Sequence, residues 1–307
     1  MVRVALLTYR RPDDLADILP ELAREADTAR SAGWEVDILV VDNDPQASAR
    51  PVVDAAGVGY VHEPQPGIAT ARNRALDESA DCDVLVFIDD DERPVDGWLT
   101  LLLDSYRRYG CAVVGPVISR FDGEPDPWII DGGFFTRRRM PTGTEVTVAA
   151  TNNLLLDLDQ VRRLGLRFDA EFGLSGGSDT VFTRQLVQRG GRMVWCDEAI
   201  VYDVVPAKRA TRDWVLKRAL RSGSCWSASS RHLARTPGER LRWLAADLGS
   251  GLARVAGGLV RLAAGVVARD RSLRAAGARN LARGSGLVAG VFGYRYFEYK
   301  RTGPTHG

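Results

Sequence analysis

Four acidic side chains follow one another from Asp89 to Glu92 in the stretch VFIDDDERP, directly after an apolar run. Adjacent carboxylates repel one another and raise each other's pKa, so a positive partner is expected beside them. A divalent cation is the simplest candidate, because Mg²⁺ and Mn²⁺ prefer oxygen ligands. Side chains alternate along a strand, so Asp89 and Asp91 are predicted to share one side while Asp90 points away. The alternative is a solvated acidic turn, or a charge cluster at the start of the next helix.

Three weaker signals accompany this acidic run. Asp42, in VVDND, can bond a ribose hydroxyl or a base N–H, or it can simply form a turn. In PGIATARNRAL, Arg72 and Arg74 can lie beside a nucleotide or be ordinary surface arginines of a helix. In FGLSGGSDTVFTRQL, glycines precede Asp179 at a predicted helix start, where a carboxylate can act as a general base. Spacing alone favours the other interpretation of Asp179, a stabilising acid at a helix N-terminus.

Apolar runs alternate with helical patterns through the first 119 residues. The predicted strands cover residues 2–8, 35–43, 57–63, 83–91 and 111–119, and the predicted helices cover residues 13–30, 68–80 and 95–109. Near-continuous apolar strands separated by helices predict an α/β fold with a parallel sheet buried on both faces. Ligands bind at the carboxyl ends of the strands in such sheets. The acidic run, Asp42 and Thr8 to Arg10 are all expected at such ends.

The regular alternation stops after residue 119. Residues 120–146 are predicted to form a long irregular loop, whose arginines 137–139 either close over a ligand as a lid or remain solvated. Beyond it, strands are predicted over residues 145–159 and within 191–206, and helices over 158–164 and 178–189, the latter with Ser178 as N-cap. Helix dominates from about residue 208.

The charge of the chain is strongly divided, although its net value is only +1. Residues 1–207 carry 21 Lys and Arg against 35 Asp and Glu, whereas residues 208–307 carry 20 against 5. An acidic body with a basic tail suggests two tasks, and the tail is expected to face something anionic. The four cysteines form no CxxC pair, which indicates a reduced, cytosolic setting without a zinc site.

Within the tail, charges at Arg240, Asp247, Arg254 and Arg261 recur every seven residues among Leu, Val, Ala and Gly. This pattern predicts an amphipathic helix with its charges along one stripe. Such a helix can lie in an anionic membrane surface, pack on the body of the protein or pair in a homodimer. The apolar run 284–299 adds aromatic residues beside basic ones, which suits a membrane interface. No spanning helix is expected, because 18 consecutive uncharged apolar residues do not occur, and the N-terminus does not have the pattern of a signal peptide.

Two nucleotide-binding classes are disfavoured by their motifs. The first strand is followed by TYRRPDD and not by G-x-G-x-x-G, which argues against a Rossmann dehydrogenase. No G-x-x-x-x-G-K-[ST] occurs, so a P-loop NTPase is excluded. The basic tail shows no recognised nucleic-acid-binding motif, and no nucleic-acid partner is expected.

Seven short motifs together resemble the family 2 glycosyltransferases, over a span from about Arg3 to about Gly223. They are TYRRPDDL, VVDND, PGIATARN, VFIDDDERP, TNNLLL, GGSDTVFTRQL and EAIVYDVVPAKRAT, in the family's order. The resemblance implies the GT-A fold, a Rossmann-like, mostly parallel sheet with helices on both faces. It implies a catalytic domain over residues 1–207, with a nucleotide-sugar half at about 1–119 and an acceptor half at about 120–207. The helical, basic region 208–307 would follow it.

The same resemblance implies an inverting transfer of a sugar from a nucleotide-sugar donor to an acceptor hydroxyl, in polysaccharide, glycolipid or other glycoconjugate biosynthesis. Asp89 and Asp91 match the family's DxD motif. Asp91 and Asp203 are expected to bind Mg²⁺ or Mn²⁺, and Asp179 matches the catalytic base. The expected donor-binding residues are Thr8, Tyr9, Arg10, Asp42, Arg72, Asp89, Asp90 and Arg209. The expected acceptor-binding residues are Asn152, Asn153, Gly177 and Ser178.

One residue departs from the family pattern, and two other functions stay open. Family members often have Glu at the position of Ser178, so acceptor contacts are expected to differ. Asn152 and Asn153 can instead bond backbone at a strand end. A sugar-nucleotide pyrophosphorylase would need a glycine-rich N-terminal loop, which this chain lacks, and a non-catalytic carbohydrate-binding scaffold would not need the acids. We expect a cytoplasmic enzyme, peripheral at the cytoplasmic face of a membrane if the tail binds lipid.

Overall fold

The computed structural model describes residues 1–173 and 176–294. These residues form two compact units. The first contains residues 1–118, 137–173 and 178–204, and the second contains residues 119–136, 176–177 and 205–294. The predicted glycine-rich stretch 172–179 crosses residues 174–175, and the predicted aromatic run 284–299 continues past residue 294, so both lie partly outside the described residues.

The described residues form ten strands. They are β1 (Val2–Thr8), β2 (Val36–Asp42), β3 (Gly59–His62), β4 (Val84–Asp89), β5 (Glu92–Pro94), β6 (Ala112–Val114), β7 (Val117–Phe121), β8 (Asn153–Asp157), β9 (Met193–Trp195) and β10 (Val201–Val205). Seven of them form one sheet in the order β3-β2-β1-β4-β8-β6-β9, and the others form a small sheet in the order β5-β10-β7. In the large sheet β1 pairs in parallel with β2 and β4, while β8 is antiparallel to β4 and β6. The predicted mostly parallel sheet is confirmed.

The described helices cover both faces of that sheet and build the second unit. They are α1 (Pro12–Ser31), α2 (Arg50–Ala56), α3 (Ile68–Glu78), α4 (Trp98–Tyr109), α5 (Pro127–Asp131), α6 (Leu158–Arg163), α7 (Ser178–Gln188), α8 (Arg212–Leu233), α9 (Pro237–Val267) and α10 (Arg271–Val291). One core cluster joins Leu6 of β1 to Ile18 of α1 and Leu102 of α4. The other joins Ala5 of β1 to Phe182 of α7. Neighbouring residues of one strand thus enter opposite cores, as expected for a sheet buried on both faces.

Three predicted elements differ from the observed ones. The predicted strand 111–119 is two strands in different sheets, interrupted at Gly115, where a Cβ atom would lie 2.3 Å from Ala199 O. The predicted loop 120–146 contains the short helix α5, which Asp126 caps by accepting from Trp128 N at 2.9 Å. The predicted strand 145–159 is regular only in β8. Each difference arises from local contacts that apolar periodicity does not encode.

Helices α8, α9 and α10 pack through glycines. A Cβ atom at Gly286 of α10 would lie 1.9 Å from the carbonyl oxygen of Leu220 in α8, and one at Gly258 of α9 would lie 2.9 Å from Gly277 O of α10. The four charges predicted along one stripe all lie in the helix α9, but Asp247 is buried whereas Arg254 is exposed. The expectation of no spanning helix was too strict, because α9 is long and apolar enough by length and composition alone.

Replacing Gly286 by Ala is predicted to destabilise the second unit by about 1–3 kcal/mol, because the added methyl group meets backbone atoms of α8 that cannot rotate away. The matched control is Gly249→Ala in α9, where a Cβ atom meets nothing within 4 Å. There the higher helix propensity of Ala is expected to stabilise by about 0.5–1 kcal/mol. Thermal unfolding of both variants tests this, and equal melting temperatures would contradict the glycine packing.

Candidate active site

The acidic run forms a tight turn whose carboxylates meet an arginine. Strand β4 ends at Asp89, and Asp90 and Asp91 turn the chain into β5. Nη1 of Arg11 donates to Asp90 Oδ1 and to Asp91 Oδ2, both at 2.8 Å. Thr8, at the end of β1, donates to Asp90 Oδ2 at 2.8 Å. The predicted alternation of side chains therefore fails for Asp90, because the strand ends before it and both acids bond to the same nitrogen atom.

Burial dominates the electrostatics of this turn. It raises the pKa of Asp89 to about 7, with a further contribution from the charge of Asp91. It also raises the pKa of Asp90 to about 6, although Arg11 and Thr8 oppose the shift. Burial disfavours the charge on Arg11 as well, but Asp90 and Asp91 outweigh that effect and raise its pKa. The pKa values of Asp89 and Asp90 stay raised although Arg72 and Arg11 act on them, so the turn can accept further positive charge.

Glu92 is the most deeply buried member of the run. Its Oε2 accepts from Asp89 N at 3.1 Å, and its Oε1 accepts from Asn152 Nδ2 at 2.7 Å. Burial, followed by the charge of Asp89, raises the pKa of Glu92 well above its usual range. The side chain is 1% exposed. Glu92 therefore stabilises the turn through Asp89 N, and it also holds the side chain of Asn152.

Asp203 lies opposite Glu92 in the antiparallel pair of β5 and β10. Its Oδ2 accepts from Arg137 Nη2 at 2.8 Å. On the neighbouring residue, Val204 N donates to Asp91 O at 3.4 Å, which brings β10 to the acidic turn. Each of the two predicted metal ligands, Asp91 and Asp203, therefore bonds to an arginine.

The described residues contain no group of three His, Cys, Asp or Glu side chains arranged to hold a metal ion. The chemistry of Asp91 and Asp203 nevertheless fits Mg²⁺ or Mn²⁺, since both offer carboxylate oxygens. Arg11 and Arg137 now take the hydrogen bonds that such an ion would replace. The residues present therefore suit a hard cation in exchange for the guanidinium groups.

Asp42, at the carboxyl end of β2, is fully buried, and its carboxylate accepts hydrogen bonds from the loop that follows it and from β3. Oδ1 accepts from Asp44 N at 2.9 Å, and Oδ2 accepts from Ala49 N at 2.9 Å and from the Tyr60 hydroxyl at 3.2 Å. Burial and the charge of Asp42 raise the pKa of Tyr60 to about 12. This arrangement is the turn-forming alternative, and a donor contact stays a prediction.

Tyr9 and Arg10 follow β1 at the same sheet edge. Arg10 has a left-handed backbone with φ of 57°, which few residues other than glycine adopt. Its Nε donates to Asp44 Oδ1 at 3.2 Å, and its guanidinium lies 5.2 Å from the centre of the Tyr9 ring. The Arg10 side chain thus links the loop after β1 to the loop after β2.

Arg72 joins a predicted donor residue to a predicted acceptor residue. Its Nη1 donates to Ser178 Oγ at 2.7 Å, and its guanidinium lies 5.5 Å from the centre of the Phe168 ring. Arg74 instead pairs with Glu78 on the same helix, at 2.7 Å, which is the ordinary surface alternative. Arg72 therefore positions the start of α7, where Asp179 follows Ser178.

Asp179 begins α7 after Gly176 and Gly177, whose φ angles of 79° and 93° favour glycine. Its Oδ1 accepts from Thr180 N at 2.6 Å and from Thr180 Oγ1 at 3.3 Å. In the described part of the chain, the Asp179 carboxylate takes part in no ion pair. Unlike Asp90, Asp91 and Asp203, it therefore has no guanidinium group bonded to it in that part of the chain.

Asn153 has the buried role that the sequence left as an alternative. Its Oδ1 accepts from Trp98 Nε1 at 2.9 Å, and its Nδ2 donates to Pro116 O at 3.0 Å and to Ala199 O at 2.7 Å. The residue is 1% exposed. All three bonds satisfy buried groups, which is the structural alternative, and an acceptor contact by Asn153 stays a prediction.

Two arginines of the predicted lid form ion pairs, whereas the sequence predicted either closure over a ligand or a solvated run. Arg137 bonds Asp203, and Arg139 donates from Nε to Asp197 Oδ1 at 2.6 Å and from Nη2 to Asp197 Oδ2 at 2.8 Å. Gly177 and Arg209 belong to the second unit, so their predicted roles stay predictions.

Arg11 and Glu92 are the site residues that the sequence analysis missed. Arg11 is the second of two adjacent arginines in TYRRP, and only its contact with residues 79 and 80 positions later reveals its role. Glu92 was treated as one more acid of the run. The signal for Arg11 was the expected positive partner, which the sequence analysis assigned to a metal.

Replacing Asn153 by Ala is predicted to destabilise the first unit by about 2–4 kcal/mol, because a buried indole N–H and two buried carbonyls lose their partner. Replacing the less buried Asn152 by Ala removes only the bond to Glu92 and is expected to cost about 1 kcal/mol. Thermal unfolding compares the two variants. Wild-type stability in Asn153→Ala, together with weaker acceptor binding, would instead support the acceptor role.

Comparison with curated proteins gives two informative relatives. The chain is 37% identical over 229 residues to the succinoglycan biosynthesis protein ExoM of Rhizobium meliloti (strain 1021), covering 72% of each chain. It is 27% identical over 241 residues to the pre-mycofactocin glycosyltransferase of Mycobacterium tuberculosis (strain ATCC 25618 / H37Rv), covering 71% of this chain and 49% of that one.

Solved structures support the fold at low sequence identity. S. aureus TarS 1-349 in complex with UDP-GlcNAc is 16% identical, with a TM-score of 0.51 over 92% of this chain and 90% of that one. GalNAc-T7 with UDP, GalNAc and Mn2+ is 12% identical, with a TM-score of 0.51 over 77% and 51%. The family described as Glycosyl transferase family 2 matches residues 4–165, slightly more than half of the chain. The chain therefore belongs to glycosyl transferase family 2, as its motifs predicted.

Proposed function

We propose that this glycosyltransferase moves a sugar from a nucleotide diphosphate donor to an acceptor hydroxyl, in a metal-dependent reaction that inverts the anomeric centre. The acidic turn at the end of β4 carries this proposal, because its buried carboxylates stay short of positive charge beside Arg11. The succinoglycan relative supports a role in polysaccharide biosynthesis. Family membership favours transfer over the pyrophosphorylase and scaffold alternatives.

The donor is proposed to bind at the carboxyl ends of β1, β2 and β4, in residues 1–119. UDP-GlcNAc in the TarS complex and UDP in the GalNAc-T7 structure support a nucleotide-sugar donor. Thr8, Asp90 and Arg72 already form hydrogen bonds there, so they can orient a donor with little loss of side-chain freedom. Asp42 and Arg10 shape the adjoining loop around the nucleoside.

The Mn2+ in GalNAc-T7 supports a divalent cation for this chain too. Asp91 and Asp203 would hold it, and Asp89 would share it or contact the ribose. When bound, such a cation neutralises the charge that develops on the departing diphosphate. If a cation took the place of Arg11 on Asp91, the guanidinium would keep its bond to Asp90 and would lie near the same charge.

Asp179 is proposed as the general base that takes the proton of the acceptor hydroxyl. It begins α7 without an ion-pair partner in the residues the structure describes, so its carboxylate stays available to a proton. Ser178, fixed by Arg72, sets where this carboxylate stands. In-line attack from the face opposite the leaving group then inverts the sugar. Asn152, Gly177 and Ser178 remain the proposed acceptor contacts.

The enzyme is proposed to work at the cytoplasmic face of a membrane, in peripheral contact with it. The helix α9 is long, apolar and mostly exposed, and it lies in the basic region that begins at residue 208. Both features suit a helix that lies in the headgroup region of an anionic bilayer.

Asp179→Asn is predicted to bind donor as the wild type does and to lower sugar transfer about 100-fold or more, since the amide cannot accept the proton. The measurement is turnover with UDP-, GDP- and dTDP-sugars, with donor affinity measured by calorimetry. The panel also identifies the nucleotide of the donor.

The matched control is Asp159→Asn, which removes another acid from the first turn of a helix, α6. If Asp179 only stabilises a helix N-terminus, both variants should lose similar stability and keep their turnover. Wild-type turnover in Asp179→Asn would remove Asp179 from the mechanism.

Arg11→Met is predicted to bind Mn²⁺ about tenfold more tightly than the wild type, because one competing ion pair is worth roughly 1.4 kcal/mol. The measurement is Mn²⁺ binding followed by electron paramagnetic resonance without donor. Arg11 precedes α1 without a side-chain capping bond, so the helix loses no cap in this variant.

Arg167→Met serves as the control, because it removes an arginine paired with Asp77 outside the acidic turn. Its Mn²⁺ affinity should equal that of the wild type. Equal or weaker Mn²⁺ binding by a folded Arg11→Met variant would show that Arg11 does not compete with the cation.

A further inference from the structure

Helix α9 presents three different faces. Gly251, Gly258 and Gly265, spaced by seven residues, lie against α10, where a Cβ atom at Gly251 would stand 3.1 Å from Gly284 O. The residues that follow these glycines are Leu252, Leu259 and Val266, whose exposed apolar side chains lie about 100° further around the helix. Arg254 and Arg261 come three residues after Gly251 and Gly258, and they lie on the other side of the glycine face. Close packing through glycine thus leaves Leu252, Leu259 and Val266 directed away from α10.

The exposed apolar face is large and is formed by leucines and valines. Its members are Leu241 (70% exposed), Leu252 (53%), Leu259 (54%), Val260 (69%), Val266 (66%) and Val267 (87%). Contiguous exposed apolar surfaces of this kind on soluble domains mark sites of contact with protein or membrane. Something apolar therefore covers this face of α9 in the working enzyme.

On the opposite side of α9 from Leu252 lie Arg254 and Arg261. Their charges act on Arg279 and Arg283 of α10, and we name these four residues the arginine cluster. A Cβ atom at Gly284, next to Arg283, would lie 2.9 Å from Arg254 Cβ. None of the four forms an ion pair with a carboxylate in the described residues. Arg279 donates to Gly133 O, and Arg261 donates to Gly257 O of its own helix at 3.4 Å.

The like charges of the arginine cluster disfavour one another. Partial burial lowers the pKa of Arg279, and the charges of Arg254 and Arg261 lower it further. The pKa of Arg283 is lowered by partial burial and then by Arg254 and Arg279. A fold that keeps four guanidinium groups together without an acid gains free energy from an anion with several oxygens.

We propose that the arginine cluster binds the phosphate groups of anionic phospholipids while the apolar face of α9 enters the bilayer surface. The inference rests on the proposed membrane location and adds the residues that recognise the lipid. Guanidinium groups bond phosphate oxygens in pairs, and an amphipathic helix at a membrane surface carries its basic residues on the face opposite its apolar one. A second copy of the chain would cover the apolar face but would leave the four charges without a counter-ion, so lipid fits better.

The experiment uses the full chain and sedimentation with vesicles of phosphatidylcholine alone or with added phosphatidylglycerol. The wild type is expected to bind the anionic vesicles at least tenfold more tightly, and added salt should weaken that preference. Arg254→Gln/Arg283→Gln should lose about tenfold or more of the affinity for anionic vesicles, since each basic residue contributes about 1 kcal/mol. Leu259→Gln/Val260→Gln should weaken binding to both kinds of vesicle.

The control Arg235→Gln/Arg240→Gln removes the same charge from exposed positions before and in the first turn of α9. It should keep most of the preference for phosphatidylglycerol. Equal loss in both double variants would mean that net charge alone attracts the membrane, and it would overturn a site at the arginine cluster. Absence of wild-type binding, or a dimer in sedimentation that the Leu259→Gln/Val260→Gln variant dissolves, would overturn the lipid proposal as well.

Two readouts keep this proposal separate from the proposed reaction and from misfolding. The Arg254→Gln/Arg283→Gln variant should melt no lower than the wild type, because it removes repulsion within the arginine cluster. It should also keep donor hydrolysis measured without vesicles. Asp179→Asn should bind anionic vesicles as the wild type does while losing transfer. Vesicle binding lost together with cooperative melting would count against the cluster as an independent lipid site.

Discussion

Negative charge buried at the end of β4 is the constraint that organises the first unit. Carboxylates removed from water need partners, and the chain places a hydroxyl, a guanidinium and an amide around them. Thr8 reaches Asp90 because β1 and β4 are neighbours in the sheet, and Arg11 reaches it because α1 begins directly after that strand. The partners orient the acids without fully offsetting their charge, which suits a site that takes up a cation and a diphosphate together.

The acids and amides of the first unit differ in how completely the chain satisfies them. Asp42 and Asn153 spend their hydrogen bonds on backbone and core groups, so their first task is to hold loops and strands in place. Asp91 and Asp203 bond to arginines, which can exchange with another cation. Asp179 has no such counter-charge among the described residues. The degree of satisfaction therefore distinguishes Asp42 from the acids that we propose to act in the reaction.

The second unit is built on a different principle. Glycines bring α8, α9 and α10 so close together that little side-chain volume remains between them. Leu252, Leu259 and Val266 of α9 consequently face outward, where exposure of their apolar surface to water is unfavourable. A small-residue seam thus leaves an apolar face and a basic cluster on opposite sides of α9, the amphipathic pattern that a charged lipid surface satisfies.

Periodicity and composition determined much of this protein. Runs of apolar residues specified β1, β2, β4 and the helices between them, and the parallel order followed because helices separate these strands. The sequence also predicted Thr8, Asp42 and the acidic turn at one edge of the sheet, because each comes at the carboxyl end of a parallel strand. Tertiary structure alone decided that Arg11 is the cation between Asp90 and Asp91, that Asn153 bonds buried groups, and that Asp247 is buried. These outcomes depend on contacts between residues far apart in the chain, which local patterns of hydropathy and charge do not specify.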